Sequence, residues 1–186
     1  MKKHFSFTLV ELLGAMALIV ILAGIAFSGY SYAMNKAKES ATTSVIKQIE
    51  TALEAAKIKA GYFPASADYA VIKFTVDSSE LLEKVEFGST ELSASKNKKL
   101  FAEFKKIIDF EAIRQNLNDA SELEDGFGGK IYYAFPGKIN KTGFDLVSAG
   151  ADGVFAKDDD GKPDNGSARS DYYEGSERIV DDISNF

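Results

Sequence analysis

From Leu12 to Phe27 every residue is apolar or glycine, and this uninterrupted run constrains the chain more than any other feature. Met1-Lys2-Lys3-His4 precedes it as a short basic leader, and Phe5-Ser6-Phe7-Thr8-Leu9-Val10-Glu11 leads into it. Positive charge ahead of an apolar run holds that end on the cytoplasmic side of a membrane, so the remainder of the chain is expected outside it. A cleaved secretory signal peptide has the same gross pattern. Three features argue for a retained helix instead. No small-x-small cleavage site with a shift to mature-like sequence follows the run, and helix-forming sequence continues without a break. The third is Glu11, a carboxylate inside the apolar segment, where an unpaired charge costs roughly 2–3 kcal/mol. A residue that costly implies a partner for its charge.

The periodicity changes after Tyr30. Ala41, Val45, Ile49, Leu53 and Ala56 recur at helical spacing, with Lys47, Glu50, Glu54 and Lys57 placed for the wet side. Gly61 provides a stop and Pro64 opposes continuation. A helix from Phe7 to Ala60 would be about 80 Å long. Beyond it, Tyr69 to Val76 reads as a strand. Asp77 with Glu80 three residues later reads as a helix start, opening a short helix through Leu81 and Val85. Leu100, Phe101, Phe104, Ile107 and Ile108 form an amphipathic stripe expected to cover a sheet, while Lys96, Lys98 and Lys99 read as its solvated start. Ile131 to Phe135 and Phe144 to Ala149 are strand-like runs divided by turn signals at Pro136-Gly137 and Gly143. The fold class expected is α+β: a long N-terminal helix capped by a small antiparallel sheet and a Gly/Asp-rich loop.

Charge and composition narrow the functions. The chain has a net charge of -6, and residues 144–186 hold 11 acidic against four basic residues, which leaves +1 for residues 1–143. An acidic surface repels phosphates, so no nucleic-acid partner is expected for the tail. The absence of cysteine removes disulfides, thiolate metal sites and cysteine nucleophiles. The one histidine, His4, lies in the leader, which rules out a Ser-His-Asp triad and histidine metal centres. No pair of carboxylates is placed across a cleft by the sequence, and no enzymatic activity is expected. Asp152, Asp158, Asp159, Asp160, Asp164 and Asp171, interleaved with Gly153, Gly161 and Gly166, are the only site-like chemistry. Hard oxygen ligands on a turning backbone suit calcium, yet a solvated acidic loop reads equally well from spacing alone. Lys162 occupies a ligand position of the EF-hand pattern, so that motif is absent.

Ser6-Phe7-Thr8-Leu9-Val10-Glu11-Leu12-Leu13 resembles the processing site of type IV pilins and type II secretion pseudopilins. Gly61-Tyr62-Phe63-Pro64, Asp125-Gly126-Phe127-Gly128-Gly129-Lys130-Ile131-Tyr132-Tyr133, Phe144 to Gly153 and Asp182 to Phe186 are similar to segments of major pseudopilins, so that about half the chain is covered. The resemblance implies the type IV pilin-like fold, with residues 1–6 as leader, 7–30 as transmembrane and polymerisation helix, and 31–186 as a periplasmic or extracellular head. It implies cleavage between Ser6 and Phe7 by prepilin peptidase, N-methylation of Phe7, and pairing of Glu11 with the new amine of a neighbour in a helical filament. Implied partners are further copies of the chain, an inner-membrane assembly platform and minor pseudopilins. A calcium ion is implied in the C-terminal loop, held by Asp152, the carbonyl of Ala149, Asp159 or Asp160, and Asp182. The family has Gly before the cut where this chain has Ser6, and many members have a helix-kinking Pro where it has Ser28, leaving Gly24 or Gly29 to supply a bend. Within the family, a type II pseudopilus subunit, a type IV pilin and a minor or tip subunit all remain open. A membrane-anchored exported enzyme and a membrane-anchored binding module that never polymerises are the readings outside it.

Overall fold

The computed structural model describes residues 8–93, 95–151, 153, 173–174, 177–178 and 183–185. It divides into two compact units, Met1–Ala37 and Lys38–Phe186. In the first unit the described chain is helical throughout from Leu9, as the beginning of α1 (Leu9–Ala60), which runs unbroken through Gly24 and Gly29. Its large side chains are all exposed, from Leu9 through Leu13, Leu18, Leu22 and Ile25 to Phe27. A soluble helix hides one stripe; this one is apolar all round and hides none. By length and composition it is able to cross a membrane.

From Lys38 onward the same helix becomes part of a core. Thr42, Val45, Ile46, Ile49, Ala52, Leu53 and Ala56 are buried, at spacings of three and four that make one face. Ala41 was expected on this face and is exposed, while Thr42 takes the inward position. Thr42 is tolerated there because its hydroxyl donates to the Lys38 carbonyl at 2.9 Å. The helix stops at Gly61, whose φ of +92° lies in the left-handed region that glycine adopts at helix ends. Phe63 then turns inward, edge-on to Phe135 at 5.1 Å and Phe144 at 4.8 Å.

The sheet is antiparallel, in the order β3 (Thr90–Glu91), β2 (Leu82–Phe87), β1 (Ser66–Val76), β4 (Ile131–Phe135), β5 (Asp145–Ser148) and β8 (Ile183–Ser184). A separate two-stranded ladder joins β6 (Tyr173–Glu174) to β7 (Glu177–Arg178). Alternation along each strand sends Ile72, Phe74, Val85, Phe87, Ile131, Tyr133 and Leu146 into one core with α1. Tyr69, Tyr132, Ala134, Val147 and Ala149 form a smaller cluster of their own. A 3-10 turn (Ser95–Asn97) leads into α2 (Lys98–Ile107), which adds Leu100 and Phe104 to the main core. Lys96, Lys98 and Lys99 are exposed, as the solvated helix start requires. α3 (Phe110–Arg114) is capped by Asp109, which accepts from Ala112 N–H at 3.2 Å. The result is α+β, a long apolar-headed helix packed in its second half onto a small antiparallel sheet, consistent with the type IV pilin-like fold.

A second expectation, beside that for Ala41, is overturned. Residues 77–85 are not a helix: Asp77 opens a hairpin turn and Leu82–Phe87 is strand β2, paired with β1 from Ile72↔Phe87 to Val76↔Leu82. Asp77 does cap backbone donors, accepting from Ser79 N–H at 2.8 Å and Leu81 N–H at 3.0 Å. The cap serves a turn because Glu80 stands at a φ of +61°, which a helix forbids. Val85 and Phe87 then face the core as strand alternation demands.

Candidate functional site

The first candidate region is the start of α1. Thr8 is the residue before the helix, and its hydroxyl accepts from Glu11 N–H at 3.2 Å. Glu11 reaches back in turn: its Oε2 accepts from both Thr8 N–H and Thr8 Oγ1, each at 2.8 Å. This reciprocal Thr-x-x-Glu pair is a capping box, satisfying backbone donors that the first turn cannot satisfy itself. The resemblance implies only an intermolecular partner for Glu11. The intramolecular partner is legible in the Thr-x-x-Glu spacing of Thr8 and Glu11. Two Thr8 donors fill about half of the four lone-pair sites of a carboxylate, so a further cationic donor is still accommodated. Ser6 and Phe7 lie outside the described residues.

The second region is the C-terminal end of β5. Ala149 is buried there, and Gly150 (φ +64°) and Gly153 (φ +70°) turn the chain on either side of Asp152. Asp152, Asp159, Asp160 and Asp182 lie outside the described residues, so of the expected ligand set only Ala149 is placed. Among the described residues no group of three metal-ligating side chains converges. The set's chemistry, carboxylates and a backbone carbonyl, is the hard-oxygen kind that calcium takes.

Two aspartates next to this region have structural duties that the sequence did not announce. Asp125 is buried, and its Oδ1 accepts from Phe127 N–H and Gly129 N–H, both at 2.8 Å, while Oδ2 accepts from Ser148 Oγ. It thereby locks the Asp125–Gly129 loop to β5. The loop is pressed against α1: Gly126 N–H donates to Thr42 Oγ1 at 2.9 Å, and a β-carbon at Gly126 would fall 2.5 Å from the Lys38 carbonyl oxygen. Lys38 also places its ammonium 5.5 Å from the Phe127 ring centre. Asp145 is fully buried and accepts four hydrogen bonds, from Tyr69 OH (3.0 Å), Lys138 N–H (2.6 Å), Ile139 N–H (2.9 Å) and Asn140 N–H (2.8 Å). Such a carboxylate is the hub on which the 136–143 turn is folded.

A third carboxylate, Glu122, is shared between Lys130 at 2.7 Å and Lys73 at 3.0 Å. Lys130 first and Lys73 second hold its carboxyl down at about 2, against an ordinary 4.5. Tyr133 has no such partner charge; burial pushes its phenol well up, and the hydroxyl donates to the Pro64 carbonyl at 2.7 Å.

With this geometry in view, comparison with known proteins bears on the N-terminus. Residues 1–27 match the family model described as the prokaryotic N-terminal methylation motif. The match supports the pilin and pseudopilin class, with processing by prepilin peptidase and assembly into a pilin-type filament as what the motif implies. It points to a structural subunit rather than an enzyme. No curated protein and no solved structure matches the chain.

Proposed function

We propose that this chain is a structural subunit of a type II secretion pseudopilus, assembling through α1 to support protein export. The observation that carries the reading is the first half of α1: a capped helix, apolar on all sides, with a carboxylate in its first turn. Apolar area left in water costs about 25 cal/mol per Å², so the helix is covered by lipid or by copies of itself. In the bilayer it anchors the chain, with the head in the periplasm. In the filament, Glu11 pairs with the amine of a neighbouring Phe7 in addition to Thr8, which fixes the register of one copy against the next. The similarity of the Asp125–Tyr133 and Phe144–Gly153 segments to major pseudopilins favours the pseudopilus over a type IV pilus. A minor or tip subunit is the competing reading within the class, and filament stoichiometry separates them, because a major subunit outnumbers every other component.

The decisive measurement is the mass of the mature chain. The proposal requires an N-methylated Phe7 as first residue; a chain beginning after Tyr30 removes the polymerisation helix and overturns it. Glu11→Leu is expected to leave the head folded and to abolish assembly. Assembly at the parental level would favour an anchored module that never polymerises.

Calcium is part of this proposal. Asp152, the Ala149 carbonyl, Asp159 or Asp160, and Asp182 would hold it, and it would tie the loop after β5 to the segment before β8. Saturating calcium at 100 times its Kd would stabilise the head by about 2.7 kcal/mol. The check is a melting curve with chelator and with added calcium; identical midpoints dismiss the ion.

A further inference from the structure

Two tyrosines close the apolar stretch of α1. Between Glu11 and Lys36 the sequence holds no charge, and from Leu12 to Gly29 the only polar residue is Ser28. Tyr30 and Tyr32 follow at once, 64% and 73% exposed. With 3.6 residues per turn they stand about 200° apart around the helix, on nearly opposite sides. A neighbouring helix meets one face, so it would cover one of these rings and leave the other in water. A planar boundary between lipid and water meets both together. Tyrosine suits such a boundary because its ring is apolar and its hydroxyl polar, and it collects at the headgroup level of membrane helices.

Spacing along the helix axis points to the same boundary independently. The backbones of Glu11 and Tyr30 are about 29 Å apart at the helical rise, against a hydrocarbon core about 30 Å thick. With the tyrosines at one headgroup boundary, Glu11 therefore arrives at the other, and not at mid-membrane where a charge is most expensive. The capping box carries its carboxylate further out. Glu11 Oε2 lies 2.8 Å from both Thr8 N and Thr8 Oγ1, which sets the charge at the level of Thr8, about 33 Å from Tyr30. Thr8, Glu11, Tyr30 and Tyr32 all belong to the first compact unit, within which α1 is unbroken from Leu9.

We infer that Tyr30 and Tyr32 bind the outer lipid headgroup boundary and so hold Glu11 at the opposite one. This rests on the reading of α1 as a bilayer-inserted helix and adds its depth. A carboxylate at the boundary needs no second copy while the chain waits in the membrane. Its need for a cationic partner begins when α1 enters an apolar bundle. The chain has no tryptophan, so an introduced one reports a single depth. Full-length Leu12→Trp, Val20→Trp, Tyr30→Trp and Tyr32→Trp variants are reconstituted singly in phosphatidylcholine vesicles brominated either near the headgroup or near the chain end. Shallow bromines are expected to quench Leu12→Trp, Tyr30→Trp and Tyr32→Trp at least twofold more than deep ones, and Val20→Trp is expected to show the reverse. Adding Tyr30→Ser and Tyr32→Ser to Leu12→Trp is expected to lower its shallow-to-deep ratio at least twofold, because the serines are drawn into water and pull Leu12 deeper. Deep quenching of Leu12→Trp, Tyr30→Trp or Tyr32→Trp, quenching at only one of the two tyrosine positions, or a ratio unmoved by the serines overturns the inference; a deep Val20→Trp in the same series leaves α1 in the bilayer. A Val20→Trp chain that neither lipid quenches overturns both.

Discussion

α1 is one helix with two opposite relations to its surroundings. Between Leu9 and Phe27 its large apolar side chains are exposed, and between Thr42 and Ala56 one face of it is fully buried. The backbone hydrogen bonding is the same in both stretches, so the difference lies wholly in which residues share a face. The first stretch is apolar in every direction and depends on an environment outside the chain; the second is amphipathic and supplies its own. The same secondary structure therefore serves assembly at one end and folding at the other.

Three substitutions in the head break or sharpen that contrast, taken from the largest expected effect to the smallest, with Leu18→Ala as the control for the first. Leu53→Ala removes a fully buried side chain and is expected to lower the head's stability by about 2–5 kcal/mol. Leu18→Ala, on the exposed stretch, is expected to leave the head's unfolding midpoint unchanged within about 0.5 kcal/mol. Denaturant titration of the two variants measures both, and equal losses would erase the distinction. Gly126→Ala comes next, at about 1–3 kcal/mol, because the new methyl meets the backbone of Lys38 rather than a side chain that can swing aside. Thermal melting reads that loss, and an unchanged midpoint would mean that the loop is not pressed against α1.

Glu122→Gln is expected to cost the head less than Gly126→Ala. Its lysine partners are partly exposed, which limits the loss to about 1 kcal/mol at neutral pH. Its folded pKa of about 2 is below the ordinary 4.5, so the contribution is whole above pH 4.5 and disappears as pH falls through 2. Stability measured between pH 5 and 2 should decline less steeply in the variant than in the parent. Parallel curves would show that the two lysines do not stabilise this carboxylate.

Much of the architecture was legible in the residues, and the parts that were not share a cause. The strands expected at 69–76, 131–135 and 144–149, formed at 66–76, 131–135 and 145–148, the helix stop at Gly61 and the amphipathic α2 follow from local periodicity and turn chemistry, because each signal is complete within its own segment. Asp77 misled because an aspartate capping two nearby N–H groups is the same object at a helix start and in a hairpin turn. Pairing with β1, a long-range event, selected the hairpin. Ala41 gave way to Thr42 on the buried face because the Gly126 N–H needed an acceptor there, which a period count does not see. Asp125, Asp145 and Glu122 look in sequence like three more acids in an acidic protein. Only the fold brings Ser148, Tyr69, Lys73 and Lys130 to them.

The sequence by itself determined the apolar helix, its carboxylate at Glu11 and the charge imbalance of the C-terminal quarter, since hydropathy, spacing and charge are properties of residues in order. The tertiary structure decided which aspartates are buried hubs and that residues 82–87 join a sheet. Those are properties of pairs far apart in the chain, fixed when burial removes water and every polar group left inside must find a partner.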